Sequence, residues 1–205
     1  MRTATIQFSL VVLGFYLLLW GAQLLFPGGS ASTVALLLTI LVGIGFVQPG
    51  WNIRPSGSHK YWVVLIGVLL GSAVLAAWVL RLCDIPTPYN TIMPSDIVAY
   101  LPGIMAVTGV EELLFRQVAF SWLERQHTTG TRTVVSTALA FGGAHLGPLF
   151  VGGEVAGIFY LLQSLYMVWV GLLLGELRRA SHSWVMSWTG HVTYNVSILL
   201  FLSIK

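Results

Sequence analysis

The chain has 205 residues, of which 56% are hydrophobic and 8% are charged, and its mean hydropathy is +0.84. A soluble domain is about 25% charged, so a soluble globule, a disordered chain and a secreted disulfide scaffold are all disfavoured. The single cysteine excludes an internal disulfide and a cysteine-cluster metal site. The net charge of +3 is small, and the basic residues stand singly or in pairs between apolar runs, so nucleic acid is not an expected partner.

Seven apolar runs approach or reach the roughly 20 residues that a helix needs to cross a bilayer. The first run exceeds the roughly 7–15 apolar residues of a signal-peptide core and therefore predicts an uncleaved helix. The fourth run is expected to break at Pro102-Gly103. The runs are 6–26, 31–47, 62–80, 97–123, 133–150, 155–174 and 183–204.

The membrane interior admits only helices and closed barrels, and these run lengths suit helices, so we predict an all-α fold. The expected architecture is a polytopic transmembrane helix bundle of about seven spans, or eight if a further segment enters the membrane. Short loops leave little chain for anything else, and residues 1–205 are therefore expected to form a single integral membrane domain.

The distribution of Lys and Arg indicates the orientation, because cytoplasmic loops carry an excess of these residues. More of them lie on the side of the N-terminus than on the opposite side. The first set is Arg2, Arg54, Lys60, Arg125, Arg132, Arg178 and Arg179, and the second is Arg81 and Lys205. We expect a multi-pass protein of the cell membrane with a cytoplasmic N-terminus, and with its C-terminus outside if the spans number seven.

Three predicted spans carry polar side chains, which cost several kcal/mol inside a membrane unless they are paired or line a wet cavity. At a rise of about 1.5 Å per residue, these groups lie roughly 12–18 Å from the cytoplasmic ends of their helices. The agreement in depth predicts one shared polar pocket. The groups are Glu111, Glu112 and Arg116 in the fourth span, His145 in the fifth, and His191 and Asn195 in the seventh.

The spacing of these residues divides them into paired and unpaired groups. Glu112 and Arg116 are four residues apart with the acid first, so they share a helix face and can form an ion pair. Glu111 is turned by about 100° from Glu112, which leaves its carboxylate free to face the pocket. His191 and Asn195 are also four residues apart and project from one stripe of their helix.

These residue types in one pocket favour hydrolysis of an acyl bond, most naturally a peptide bond. A carboxylate in a low-dielectric site can act as a general base near neutral pH, so Glu111 with His145 is expected to hold and deprotonate a water molecule. His191 and Asn195 are expected to donate hydrogen bonds to the oxyanion of a tetrahedral intermediate. The sequence has no Gly-x-Ser-x-Gly, His-Glu-x-x-His or phosphate-loop motif, so a covalent nucleophile is not evident.

Three motifs resemble the CPBP family, the CAAX-protease and bacteriocin-processing endopeptidases of the Abi and Rce1 type. They are Glu-Glu-x-x-x-Arg at 111–116, Phe-x-x-x-His at 141–145 and His-x-x-x-Asn at 191–195, in the order of the family pattern. The likeness covers roughly residues 95–200, which would form the catalytic core. Residues 1–94 match only in being apolar and would be additional N-terminal spans.

The resemblance implies a glutamic intramembrane endopeptidase without a cofactor. It assigns the base to Glu111 and the other catalytic positions to His145, His191 and Asn195. The residues implied to hold the site in shape are Glu112, Arg116 and Phe141. Expected partners are the lipid bilayer and a membrane-associated protein or peptide substrate, whether or not that substrate is prenylated.

Three other functions remain open from the residues. A zinc-dependent protease would use Glu111, His145 and His191 as ligands, because two histidines and a glutamate with a water form a catalytic zinc set. A non-catalytic immunity or scaffold protein would keep the fold without the chemistry. A proton-coupled transporter would use the buried Glu and His residues as a proton relay.

Overall fold

The computed structural model describes residues 55, 59–82, 97–126, 129–146 and 154–203. Every regular element in these ranges is a helix, so the all-α prediction is confirmed there. The predicted spans at 6–26 and 31–47 lie outside the described residues. Three described stretches are long and apolar enough to cross a membrane, and the total of seven spans stays a prediction. These stretches are His59–Leu82, Ile97–Arg125 and Phe159–Ser181.

Six α-helices and one π-helical segment make up the described fold. In chain order they are α1 (His59–Leu82), α2 (Ile97–Glu112), the π-helical segment (Leu113–Ala119), α3 (Phe120–Arg125), α4 (Gly130–Ala144), α5 (Glu154–Ser181) and α6 (Trp184–Ser203). The π-helical segment joins α2 and α3 into one continuous stretch. The core is built mainly from buried apolar side chains of α1 and α5, to which the π-helical segment adds Leu114 and Phe115, α4 adds Phe141 and α6 adds Tyr194. The opposite face of α1 turns many valines and leucines outward, as a lipid-facing helix does.

Three predicted boundaries are corrected by the structure. The helix does not break at Pro102, which lies inside α2. A proline removes only one backbone hydrogen bond, and the irregularity in this stretch comes later, at the π-helical segment. The run predicted over 133–150 is helical from Gly130 and ends at Ala144. The run predicted over 155–174 continues to Ser181, so Arg178 and Arg179 belong to α5 and not to a loop.

Helices α4 and α5 approach closely because glycines line their contact, as small residues do between membrane helices. A Cβ atom on Gly142 would lie 2.8 Å from the Ser164 carbonyl oxygen, and one on Gly171 would lie 3.0 Å from Ala138 Cα. The Ser164 hydroxyl also donates a 2.7 Å hydrogen bond to the Gly142 carbonyl. The end of α4 is therefore fixed against the middle of α5.

A tight turn reverses the chain between α5 and α6. The Ser181 hydroxyl donates to the Leu177 carbonyl at 2.6 Å and accepts the Ser183 backbone N–H at 3.2 Å. His182 between them has φ of 54°, in the left-handed region. One turn into α6, the Ser187 hydroxyl donates to the Leu174 carbonyl at 2.7 Å. These bonds fix how α6 lies against α5, and hence where its polar residues stand.

Substitutions at His182 should change stability according to how well each residue tolerates a left-handed backbone. We expect His182→Val to lower the free energy of unfolding by roughly 1 kcal/mol, because a β-branched residue is strained there. We expect His182→Gly to be at least as stable as wild type, since glycine adopts positive φ without strain. Thermal unfolding in detergent micelles measures both, and a valine variant as stable as the glycine variant would contradict the prediction.

Candidate active site

The two adjacent glutamates stand where regular α-helix gives way to π-helix. Glu111 and Glu112 are the last residues of α2, and Arg116 lies within the π-helical segment. At the end of this segment the Phe120 N–H bonds to the Phe115 carbonyl, five residues earlier. Single π turns inside α-helices are rare and occur often at functional sites. The first family-like motif therefore occupies the most irregular part of this helical stretch.

The Glu112 carboxylate is completely buried and joins two elements. Its Oε1 lies 3.2 Å from Arg116 Nη1, which is the ion pair that the spacing predicts. The same oxygen lies 3.0 Å from His191 Nδ1 on α6. A carboxylate accepts hydrogen bonds, so Nδ1 of His191 carries the proton and donates it to Glu112. The bond to His191 was not anticipated from the sequence, because nothing in a motif shows which helix faces meet.

The Arg116 guanidinium is also completely buried and makes two further contacts. Its Nη2 donates to the Gly171 carbonyl of α5 at 3.2 Å. Its Cζ lies 4.4 Å from the centroid of the Phe141 ring, within the range of a cation–π interaction. A buried ion pair is tolerated best when further polar contacts offset the loss of hydration. The bond to Gly171 is one such contact, whereas Arg116 Nε and Glu112 Oε2 have no hydrogen-bond partner among the described residues.

The Phe141 ring lies at the centre of the site. It meets the rings of His145, His191 and Phe115 edge to face, with centroid distances of 5.0, 5.5 and 5.3 Å. Such T-shaped contacts add specific geometry to the apolar packing of an aromatic side chain. Phe141 thereby packs against both imidazoles, and its supporting role stays a prediction.

Glu111 differs from Glu112 in both exposure and partners. Its side chain is 29% exposed, and its Oε2 lies 3.8 Å from His191 Nε2. That distance is too long for a direct hydrogen bond and leaves scope for a water molecule in contact with both groups. With Nδ1 held by Glu112, His191 presents Nε2 to Glu111. The adjacent glutamates therefore meet opposite nitrogens of one imidazole.

His145 follows directly after the last residue of α4, not midway along a longer helix as the hydropathy predicted. The helix ends in a tight turn in which the His145 and Leu146 N–H groups bond to the carbonyls of Gly142 and Gly143. The His145 Nδ1–H donates to the Phe141 carbonyl at 2.9 Å, so in the neutral ring Nε2 is an acceptor.

Asn195 lies one helical turn after His191 on α6 and is partly buried. Within the residues that the structure describes, its side-chain amide makes no hydrogen bond. The structure thus brings the two glutamates, Arg116, Phe141 and both histidines into contact, with Asn195 beside them on the same helix. The role of Asn195 as an oxyanion donor stays a prediction.

A metal site needs several His, Cys, Asp or Glu side chains that converge on one point. Among the described residues, no group of three His, Cys, Asp or Glu side chains is arranged to hold a metal ion. Glu111 and His191 approach each other, but His145 does not complete a three-ligand set with them. The zinc-binding alternative therefore gains no support from this arrangement of donors.

One buried residue of the site was missed by the sequence. Arg178 was interpreted as a cytoplasmic loop charge, yet it lies inside α5, is only 5% exposed and donates from Nε to the Arg116 carbonyl at 3.1 Å. Its neighbour Arg179 is exposed and pairs with Glu176. Two adjacent arginines at the end of an apolar run give no signal that distinguishes the buried one from the exposed one.

A comparison with protein families identifies the class of protein to which the chain belongs. The family model described as "Type II CAAX prenyl endopeptidase Rce1-like" matches residues 93–197, which is just over half of the chain and includes all three motifs. The chain belongs to this family of endopeptidases. The match covers nearly the same residues as the likeness that the motifs indicate. No curated protein and no solved structure matches the chain.

Removing the Arg116 side chain should destabilise the protein strongly, because it would leave Glu112 buried without its cationic partner. We expect Arg116→Ala to lower the free energy of unfolding by about 3–5 kcal/mol. The control is Arg179→Ala, which breaks an exposed pair with Glu176 and should cost at most about 1 kcal/mol. Yield and thermal unfolding in detergent measure both. Equal effects of the two substitutions would show that the Glu112–Arg116 pair does not support the site.

Proposed function

We propose that the protein is an intramembrane endopeptidase in which Glu111 activates the water molecule that attacks a peptide bond. The observation that carries this proposal is the gap of 3.8 Å between Glu111 Oε2 and His191 Nε2. A partly exposed carboxylate beside an immobilised imidazole can hold a water molecule and accept its proton. Membership of an endopeptidase family supports the same chemistry.

The proposed reaction has two steps. Glu111 takes a proton from water as the water oxygen bonds to the carbonyl carbon of the substrate, which gives a tetrahedral intermediate. The protonated Glu111 then gives its proton to the amide nitrogen as the carbon–nitrogen bond breaks, which leaves a carboxylic acid and an amine. The unprotonated Nε2 of His145 helps to orient the attacking water. General acid–base catalysis of this kind contributes about 10²–10⁴-fold to a rate.

Two groups on α6 are proposed to stabilise the oxyanion of the intermediate. The Asn195 amide is a neutral donor, and it is not used by a hydrogen bond to the other described residues. His191 Nε2 donates when the ring carries both protons, because Glu112 already accepts from Nδ1. Donors placed where charge develops lower the barrier more than donors that bind the ground state.

Glu112, Arg116 and Phe141 are proposed to position these groups without touching the reacting atoms. Glu112 is completely buried, and its carboxylate oxygen is engaged by Arg116 and His191, so it is poorly placed to exchange protons with substrate. Phe141 packs against both imidazoles. This division explains why two adjacent glutamates can have different functions.

The proposed substrate is a membrane-associated protein or peptide. The family is described as a CAAX prenyl endopeptidase, and a lipid-anchored tail is one way to bring a peptide bond to a site among membrane helices. We propose that the chain crosses the cell membrane several times with its N-terminus in the cytoplasm. The burial of Arg178 removes one basic residue from the cytoplasmic set, which still outnumbers the opposite set.

Glu111→Gln should abolish peptide cleavage while the protein still folds. Glutamine keeps the size and polarity of the side chain but cannot accept the proton of water, so we expect a loss of at least about 10²-fold in kcat. The matched control is Glu176→Gln, which should stay within about twofold of wild type because Glu176 forms a surface ion pair with the exposed Arg179. His145→Ala should also remove most activity.

Cleavage is measured with purified protein in liposomes on two fluorogenic peptides, a farnesylated CAAX peptide and the same peptide without the lipid. If wild type cleaves neither, the membrane proteomes of cells with wild-type or Glu111→Gln protein are compared for shortened tails. A Glu111→Gln variant that retains most of the wild-type processing would show that Glu111 is not the base. It would also favour the non-catalytic alternative.

Removal of metal should leave activity unchanged. The described donors near Glu111 and His191 do not form a three-ligand group, so we expect the same cleavage rate after dialysis against a strong chelator. The control is a zinc protease treated in the same way, which should lose activity. Loss of cleavage that is restored by added Zn²⁺ would replace the proposed mechanism with a zinc-dependent one.

A further inference from the structure

The buried Arg178 contacts the backbone of the π-helical segment. Its Nε–H donates to the Arg116 carbonyl at 3.1 Å. Its guanidinium carbon lies 5.4 Å from the centroid of the Phe120 ring, within the range of a cation–π interaction. The side chain is thus held on the residues where π-helix returns to α-helix.

Hydrogen-bond counting shows why a donor is needed at this place. The Phe120 N–H is shared between the carbonyls of Phe115 and Gln117, five and three residues earlier, and the Gln126 N–H is shared between those of Trp122 and Leu123. Between the longer bonds of these two amides lie the carbonyls of residues 116–121 but only the amides of residues 121–125, so one carbonyl more than the number of amides needs a donor. A buried carbonyl without a donor is costly. The Arg116 carbonyl lies in this interval and receives the Arg178 Nε–H.

Helix α5 consequently holds Arg116 from two sides. The Arg116 guanidinium donates to the Gly171 carbonyl, and the Arg116 carbonyl accepts from Arg178. Positions 171 and 178 are two helical turns apart and therefore lie on the same face of α5. The Arg116 side chain in turn pairs with Glu112, which holds His191 Nδ1. The chain of contacts from Arg178 to the imidazole is continuous.

We propose that Arg178 is a positioning residue that stabilises the π-helical segment and thereby sets the orientation of the His191 ring. The proposal rests on the proposed function only for its effect on catalysis. Loss of the Nε–H donor would leave a buried carbonyl unpaired and favour a return to α-helical register. Such a return would turn Arg116 relative to Glu112 and weaken the bond from His191 Nδ1. Arg179 takes no part in these contacts.

A comparison of Arg178→Gln with Arg178→Met tests the contribution of the Nε–H donor apart from that of the rest of the side chain. Both replacements are neutral and unbranched. Glutamine places an amide nitrogen where arginine has Nε, whereas methionine places a methyl group there. The matched controls are Arg179→Gln and Arg179→Met, at the exposed neighbour.

The first measurement does not depend on a substrate. Protein labelled with ¹⁵N-histidine in detergent micelles reports the Nδ1–H of His191, and its signal is assigned with His191→Gln. We expect this signal in wild type, in Arg178→Gln and in both Arg179 variants. In Arg178→Met it should shift or be lost to exchange with water.

The second measurement is cleavage by the folded variants. We expect Arg178→Met to lower kcat roughly 10- to 100-fold with KM within about twofold, the scale of loss caused by small misplacements at a reacting centre. Arg178→Gln should recover most of the lost kcat. A purely structural role would lower the amount of folded protein and leave kcat unchanged.

Different results would contradict the role of Arg178 and the proposed function. An unchanged Nδ1–H signal in folded Arg178→Met overturns the inference, whatever the peptide assay gives. Equal kcat in the glutamine and methionine variants, in an enzyme that depends on Glu111, also overturns it. Failure of both Arg178 variants to fold counts against it, because the residue would then serve folding alone. If Glu111→Gln keeps its activity, the proposed function fails, and the histidine signal still decides the role of Arg178.

Discussion

The arrangement of this site depends on the buried carboxylate of Glu112, which needs both an opposite charge and a hydrogen-bond donor. Glu112 is completely removed from solvent, and a charge in such a place is tolerated only with a partner and further hydrogen bonds. Arg116 provides the opposite charge, and His191 provides a hydrogen bond from another helix. The end of α2, the π-helical segment and α6 are therefore held together by one group. The bond from His191 Nδ1 to Glu112 also leaves Nε2 as the ring nitrogen that faces Glu111.

The environments of the two glutamates differ because a helix turns by about 100° per residue. Glu112 points into the protein, where both of its partners are fixed. Glu111 points toward a partly exposed space and faces the opposite nitrogen of the same histidine. One imidazole thus lies between a buried carboxylate that holds it in place and a partly exposed carboxylate that we propose as the base.

Helix α5 serves as the support on which the site is assembled. Its glycines allow α4 to approach closely, and α4 provides Phe141 and ends at His145. Its Gly171 carbonyl and Arg178 side chain hold the π-helical segment. Its C-terminal turn sets the position of α6 and so of His191. None of these contacts involves the groups proposed to meet substrate.

The amino-acid sequence by itself determined the membrane class, the helical structure of the described residues and the Glu112–Arg116 pair. These follow from hydropathy and from spacing along one helix, which are local properties. Only the tertiary structure decided the π-helical segment, the position of His145 at a helix end, the bond from His191 to Glu112 and the burial of Arg178. Each depends on which faces of different helices come into contact, and a single helix cannot specify its neighbours.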